Sequence, residues 1–153
     1  MPGRDGSVPP LVEHLALAVV VVELGGNDGL RGLSLAATRA NFETMIKAGQ
    51  AAGAKILLCG MQLPPNYGRD YTERFRAMYT DLARAHGVAL LPFFLEGVGD
   101  RRELFQADGI HPTAAGHRLI AGAMVAFVPE PGTIVLLALG LFGIVATRKR
   151  QTI

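Results

Sequence analysis

The chain is predicted to adopt an α/β fold built on a parallel sheet with helices on its faces. Two observations predict it. Short apolar runs rich in β-branched residues alternate with longer segments whose apolar positions recur at helical spacing. The first such run, Ala16 to Leu24, is almost continuously apolar, as expected of a parallel strand covered on both sides.

The elements follow in order. Residues 1–14 have loop composition, with Gly3, Gly6, Ser7 and prolines at 2, 9 and 10. The strand from Ala16 to Leu24 is stopped by Gly25 and Gly26. Thr38 to about Ala52 reads as a helix with Phe42, Met45, Ile46 and Gly49 on one face and Gly53 as its stop. Lys55 to Cys59 is a second strand, closed by Gly60 and then Pro64-Pro65. Tyr71 to His86 is a second helix, with Phe75, Met78, Tyr79 and Leu82 at helical spacing and Gly87 as C-terminal cap. Val88 to Phe94 is a third strand. After a polar loop, Pro112-Thr113 opens a third helix running to about Phe127. Short crossovers of this kind force parallel pairing. In such sheets, function collects at the carboxyl ends of the strands.

Bulk composition narrows the function classes. The chain has 153 residues, half of them apolar, enough for one domain with a real core. A net charge of +2 without a basic stripe gives nucleic-acid binding no support. Cys59 is the single cysteine, which excludes an internal disulfide and a Cys-based zinc site; following Ile56-Leu57-Leu58, it reads as a buried, inert thiol. The N-terminus lacks the layout of a secretion signal, because Glu13 and His14 interrupt its apolar stretch.

Two short patterns carry chemistry. In Asp108-Gly109-Ile110-His111 a carboxylate precedes an imidazole within one tight loop. It can hold one ring nitrogen and leave the other facing a substrate. The same spacing also fits a helix N-cap aspartate beside an incidental surface histidine. In Gly25-Gly26-Asn27-Asp28 a strand end presents Asn27, whose amide can aim at an oxyanion, with Gly26 beside it. The competing reading is an ordinary turn asparagine, with Asp28 capping the following turn. Asn66 and Tyr67, between Pro65 and Gly68, fit either an acyl pocket or a surface turn. His14, His86 and His117 have no partner at metal-ligand spacing, and no phosphate loop or dinucleotide fingerprint is present. No metal or organic cofactor is expected.

Four separated segments resemble, in order, the bacterial thioesterase/arylesterase/lysophospholipase branch of the SGNH (GDSL) hydrolases. They are Val21 to Gly32 around Gly-Gly-Asn-Asp, Leu63-Pro64-Pro65-Asn66-Tyr67-Gly68, Leu90 to Phe94, and Asp108 to Pro112. The resemblance implies a flavodoxin-like three-layer fold. It makes His111 the base, Asp108 its orienter and Asn27 an oxyanion donor acting on acyl esters or thioesters. The family's Gly-Asp-Ser block, which supplies the nucleophile, has no counterpart here. The serines are Ser7, in Asp5-Gly6-Ser7 with the residues in the wrong order, and Ser34, in a region that is a variable loop in the family. No nucleophile is therefore assigned. The expectation is an incomplete SGNH domain of about three strands, N-terminally truncated and close to inactive alone. A non-catalytic envelope-anchored scaffold is the alternative, and complementation by a separate N-terminal piece is a third reading. The strand of four valines would then be an open edge prone to self-association.

Residues 128–153 form a separate tail. Pro129-Glu130-Pro131, an apolar run from Thr133 to Ala146 and the basic Arg148-Lys149-Arg150 resemble a PEP-CTERM sorting tail. That resemblance implies a sorting and processing enzyme as partner, membrane contact through 133–147 and a cell-envelope location. The run is apolar all round but shorter than the ~17 to 25 residues of a spanning helix. Residues 15–127 are left as the partial hydrolase domain.

Overall fold

The computed structural model describes residues 18–128. Three parallel strands form one sheet in the order β1 (Val19–Val22), β2 (Lys55–Cys59) and β3 (Ala89–Leu91). Val20 pairs with Ile56 and Leu58 with Leu90, so β2 is central. Four α-helices accompany them: α1 (Gly26–Leu30), α2 (Leu35–Ala51), α3 (Arg69–His86) and α4 (Ala114–Val125). Two 3-10 turns, Pro65–Tyr67 and Arg102–Leu104, sit in the connections.

Side chains alternate across the pleat and separate two apolar layers. Val22, Ile56 and Leu58 pack against Phe42 and Ile46 of α2 and Phe75, Met78, Tyr79 and Leu82 of α3. Leu57, Cys59 and Leu91 face the other way, toward Phe94, Met124 and Val128. A satellite cluster of Val98, Leu104 and Ile120 seats α4 on the loop before it. The sheet therefore lies between α2 and α3 on one face and α4 on the other. Tyr79 anchors the larger layer, edge-on to Phe42 at 5.3 Å and to Phe75 at 5.4 Å between ring centroids. Each of these rings, fully buried, contributes roughly 1.5–3 kcal/mol of apolar burial.

Every strand and helix expected within residues 18–128 is present, and most of the differences lie at their ends. The ladder of the first strand covers Val19–Val22 rather than Ala16–Leu24, and residues 16 and 17 lie outside the described part. The second helix of the sheet unit, α2, begins at Leu35 instead of Thr38, because Ser34 accepts the Ala37 N–H and so caps it. Likewise α3 begins at Arg69 rather than Tyr71 and ends in the left-handed Gly87. The third strand stops at Leu91 rather than Phe94, since Pro92 has no N–H to continue the ladder. Residues Gly26–Leu30, expected as a turn, form the short helix α1. The expected apolar C-terminal helix lies outside the described residues. Among the described residues, no helix is long and apolar enough to cross a membrane.

Candidate active site

The carboxyl end of β1 feeds directly into the first candidate group. Gly25 has φ 88°, which reverses the chain out of the strand and starts α1. A Cβ there would lie 2.5 Å from the Tyr79 hydroxyl and 3.0 Å from the Phe42 ring, so only glycine fits. The Tyr79 hydroxyl donates to the Leu24 carbonyl at 2.9 Å and ties this turn to α3. Burial first, then the Glu23 and Asp28 charges, push the Tyr79 pKa up, keeping the phenol a donor. Asp28 does not cap a turn with its side chain. It accepts the hydroxyl of the buried Thr38 at 2.9 Å and pins α1 to α2. Asn27, between these two ties, is exposed.

The second candidate group lies in the loop before α4. His111 Nδ1 and Asp108 Oδ2 are 2.7 Å apart, while Asp108 Oδ1 accepts the N–H groups of Ile110 at 2.9 Å and His111 at 3.0 Å. The His111 bond first, then the two backbone donors, hold the Asp108 carboxyl well below the usual carboxylate range. Asp108 is thus not the helix N-cap. Thr113 fills that position, accepting from the Gly116 N–H and donating to the Leu104 carbonyl. The loop is closed behind the pair by Gln106 N–H to His111 O at 2.8 Å and by a bridge between Phe105 and Pro112.

The two groups meet in one cleft of about 620 Å³ at the carboxyl ends of the strands, within the few-hundred to ~1,000 Å³ span of small-molecule sites. Gly26, Asn27 and His111 all line it. Its walls are otherwise mainly apolar, with Phe42, Met45, Met61, Phe94, Leu95 and Ile110 among them. Glu23 adds a carboxyl whose pKa is raised by desolvation. His117, which by sequence reads as a helix-face residue, also lines the cleft. The expected pair Asn66 and Tyr67 does not. Asn66 is exposed and Tyr67 half-buried, and the Tyr67 hydroxyl donates to the Leu30 carbonyl, fastening the 3-10 turn to the end of α1. Ser34 is occupied as the α2 cap, and Ser7 lies outside the described residues. Cys59 is fully buried, its thiol pushed up to about 11 by burial first and the Glu23 charge second. Met61, Phe94 and Leu95 were not readable as site residues, because loop apolar residues carry no periodicity.

Sheet, crossovers and cleft define an SGNH-like α/β fold. The family model described as GDSL-like lipase/acylhydrolase matches residues 3–119, and the chain belongs to that family. Residues 127–151 match the PEP-CTERM protein-sorting motif. Among similar proteins, "Esterase TesA" of Pseudomonas aeruginosa is 50% identical over 113 residues, covering 74% of this chain and 56% of the relative. The "Thioesterase 1/protease 1/lysophospholipase L1" of Escherichia coli is 43% identical, over 76% of this chain and 56% of the relative. A solved structure described as the crystal structure of TesA superposes with a TM-score of 0.73 at 46% identity, covering 78% of this chain and 66% of that one. The chain thus spans little more than half the length of the curated relatives it matches.

Proposed function

We propose that this chain carries the base and oxyanion half of a serine ester-hydrolase site for acyl esters or thioesters. In this reading His111 is the general base, Asp108 fixes its tautomer, and Asn27 with the Gly26 N–H stabilises the oxyanion. The supporting observation is the 2.7 Å Asp108–His111 contact, with His111, Asn27 and Gly26 around one cleft. With Asp108 ionised, neutral His111 carries its proton on Nδ1 and keeps Nε2 free to accept one. The apolar walls suit an acyl chain. The names of the relatives, an esterase and a thioesterase/lysophospholipase, agree with that substrate class.

The attacking hydroxyl is not assigned to any residue of this chain. Ser34 is committed to its helix cap, and Asp5-Gly6-Ser7 has the wrong order for the family's nucleophile block. In another serine hydrolase, loss of the nucleophile lowers turnover roughly a millionfold. We therefore read the isolated chain as near-inactive and the His111 half-site as completed by a segment that supplies the serine. The test is acyl-ester hydrolysis and serine-directed phosphonate labelling, for the chain alone and for the chain joined to the part of the Pseudomonas aeruginosa relative outside the match. The reading expects hydrolysis and labelling in the joined protein only, and phosphonate on Ser7 or Ser34 of the chain alone would overturn it.

The sorting motif at residues 127–151 supports delivery to the cell envelope through a processing enzyme, with residues 133–147 in contact with the membrane. Among the described residues β1 pairs with β2 alone, and its other edge is read as a surface for self-association.

A further inference from the structure

We infer that Arg102 is a positioning residue for the Asp108–His111 pair, acting as the internal core of the loop that carries them. The inference rests on the reading of His111 as base, but it stands on separate geometry. The carbonyls of Phe105, Gln106 and Ala107, the three residues leading into Asp108, all turn toward one guanidinium. Arg102 Nη1 donates to Gln106 O at 2.7 Å and to Phe105 O at 3.4 Å, and Nη2 donates to Ala107 O at 3.0 Å. Three carbonyl dipoles pointing at one place repel one another unless a cation sits between them. A planar guanidinium with several N–H donors in fixed directions answers that arrangement.

Among the described residues, arginine–carboxylate pairs use Arg39, Arg69, Arg74 and Arg101, whereas the side-chain hydrogen bonds of Arg102 all go to this loop. On the far side of Asp108, the loop reverses at Gly109, with φ 69°. A Cβ there would lie 3.9 Å from the Arg102 Cζ, so the reversal folds over the guanidinium. Asp108 therefore lies between Ala107, whose carbonyl Arg102 holds, and Gly109, whose Cβ position faces the guanidinium. Its low pKa comes from the His111 bond and two backbone donors, with no contribution from Arg102. Arg102 thus acts through the backbone, by holding the loop in the shape that lets Asp108 reach both the Ile110 and His111 N–H groups and the His111 ring. Charge-assisted bonds of this kind are roughly twice as strong as neutral ones. A lysine would supply the charge without the fork.

The test uses the isotopically labelled 153-residue chain, unaltered and as Arg102→Ala and Arg102→Lys. It reads two quantities: amide hydrogen exchange along the chain, and the His111 ring nitrogen shifts, which report the tautomer. In Arg102→Ala we expect exchange to accelerate about tenfold or more at Gln106, Gly109, Ile110 and His111, with protection in β2 and α3 unchanged. The His111 ring should shift from the Nδ1–H form toward a mixture with the Nε2–H form. Arg102→Lys should fall between the two. Unchanged loop exchange and tautomer in Arg102→Ala would overturn the inference, as would an equal rise of exchange in β2 and α3, which marks a general loss of stability. Absence of the Nδ1–H form from the unaltered chain would instead sink the reading of His111 as base, while the exchange pattern would still decide the role of Arg102.

Discussion

Asp108 is exposed and yet unusually acidic, because its acceptor sites are filled by one ring nitrogen and two backbone N–H groups. All three interactions favour the charged form, so the group binds a proton less readily when folded than when unfolded. Its stabilising effect is then fully present above the ordinary carboxylate pKa of about 3.9 and disappears as pH falls toward the depressed folded value. Asp108→Asn should therefore melt below the parent at pH 7, with the gap closing below about pH 4. A gap that widens on acidification would show that the carboxylate is not the stabilised form. At this scale the sequence was legible where chemistry depends on close spacing. Asp108 and His111 share one loop, and Asn27 follows a glycine-marked strand end. Asn66 and Tyr67 were ambiguous because a proline-bounded turn looks the same whether it faces a cleft or, as here, pins a helix end through the Tyr67 hydroxyl. Arg102 gave no signal, since carbonyls that converge on a side chain leave no mark in residue type.

Helix and strand identities were readable from periodicity, whereas their ends were set by single hydrogen-bonding groups. Ser34 extends α2 backward, Pro92 cuts β3 short, and Thr113 starts α4. The short helix α1 was hidden because Gly-Gly-Asn-Asp-Gly has turn composition. The turn between β1 and α1 depends on a fit between elements. Gly25 leaves just enough room for the Tyr79 hydroxyl, which in turn holds the Leu24 carbonyl. Gly25→Ala would force a left-handed alanine against that hydroxyl, a strain of about 1–3 kcal/mol. Tyr79→Phe leaves the Leu24 carbonyl without its donor and should cost about 1–3 kcal/mol. Urea unfolding of the two single variants and the double variant checks this. Because both changes break one contact, the double variant should lose less than the sum of the two. Simple additivity would mean that the turn and α3 are not coupled through Tyr79.

Alternation of strands and helices was enough to predict the layered whole, and the rule that sites gather at carboxyl ends of parallel strands placed both motifs on one edge of the sheet. The cleft itself was not legible, because its apolar walls come from loops far apart in the chain. Among the described residues β1 pairs with β2 alone, and Val21 on its outer part is 43% exposed. An apolar strand edge without charge or proline is a template for pairing. Val21→Lys should therefore reduce concentration-dependent association in sedimentation, and an unchanged profile would remove β1 from that role.

The central claim is that a base and an oxyanion donor stand ready here for a serine supplied from elsewhere. Its most direct measurement is acyl-ester hydrolysis by the chain joined to the part of the Pseudomonas aeruginosa relative that the match leaves out. The account predicts turnover in the joined protein that falls about ten-thousand-fold or more in His111→Ala. Asn27→Ala should lower it by roughly a hundred- to a thousandfold. Turnover that survives His111→Ala, or a joined and folded protein with no turnover, would contradict it.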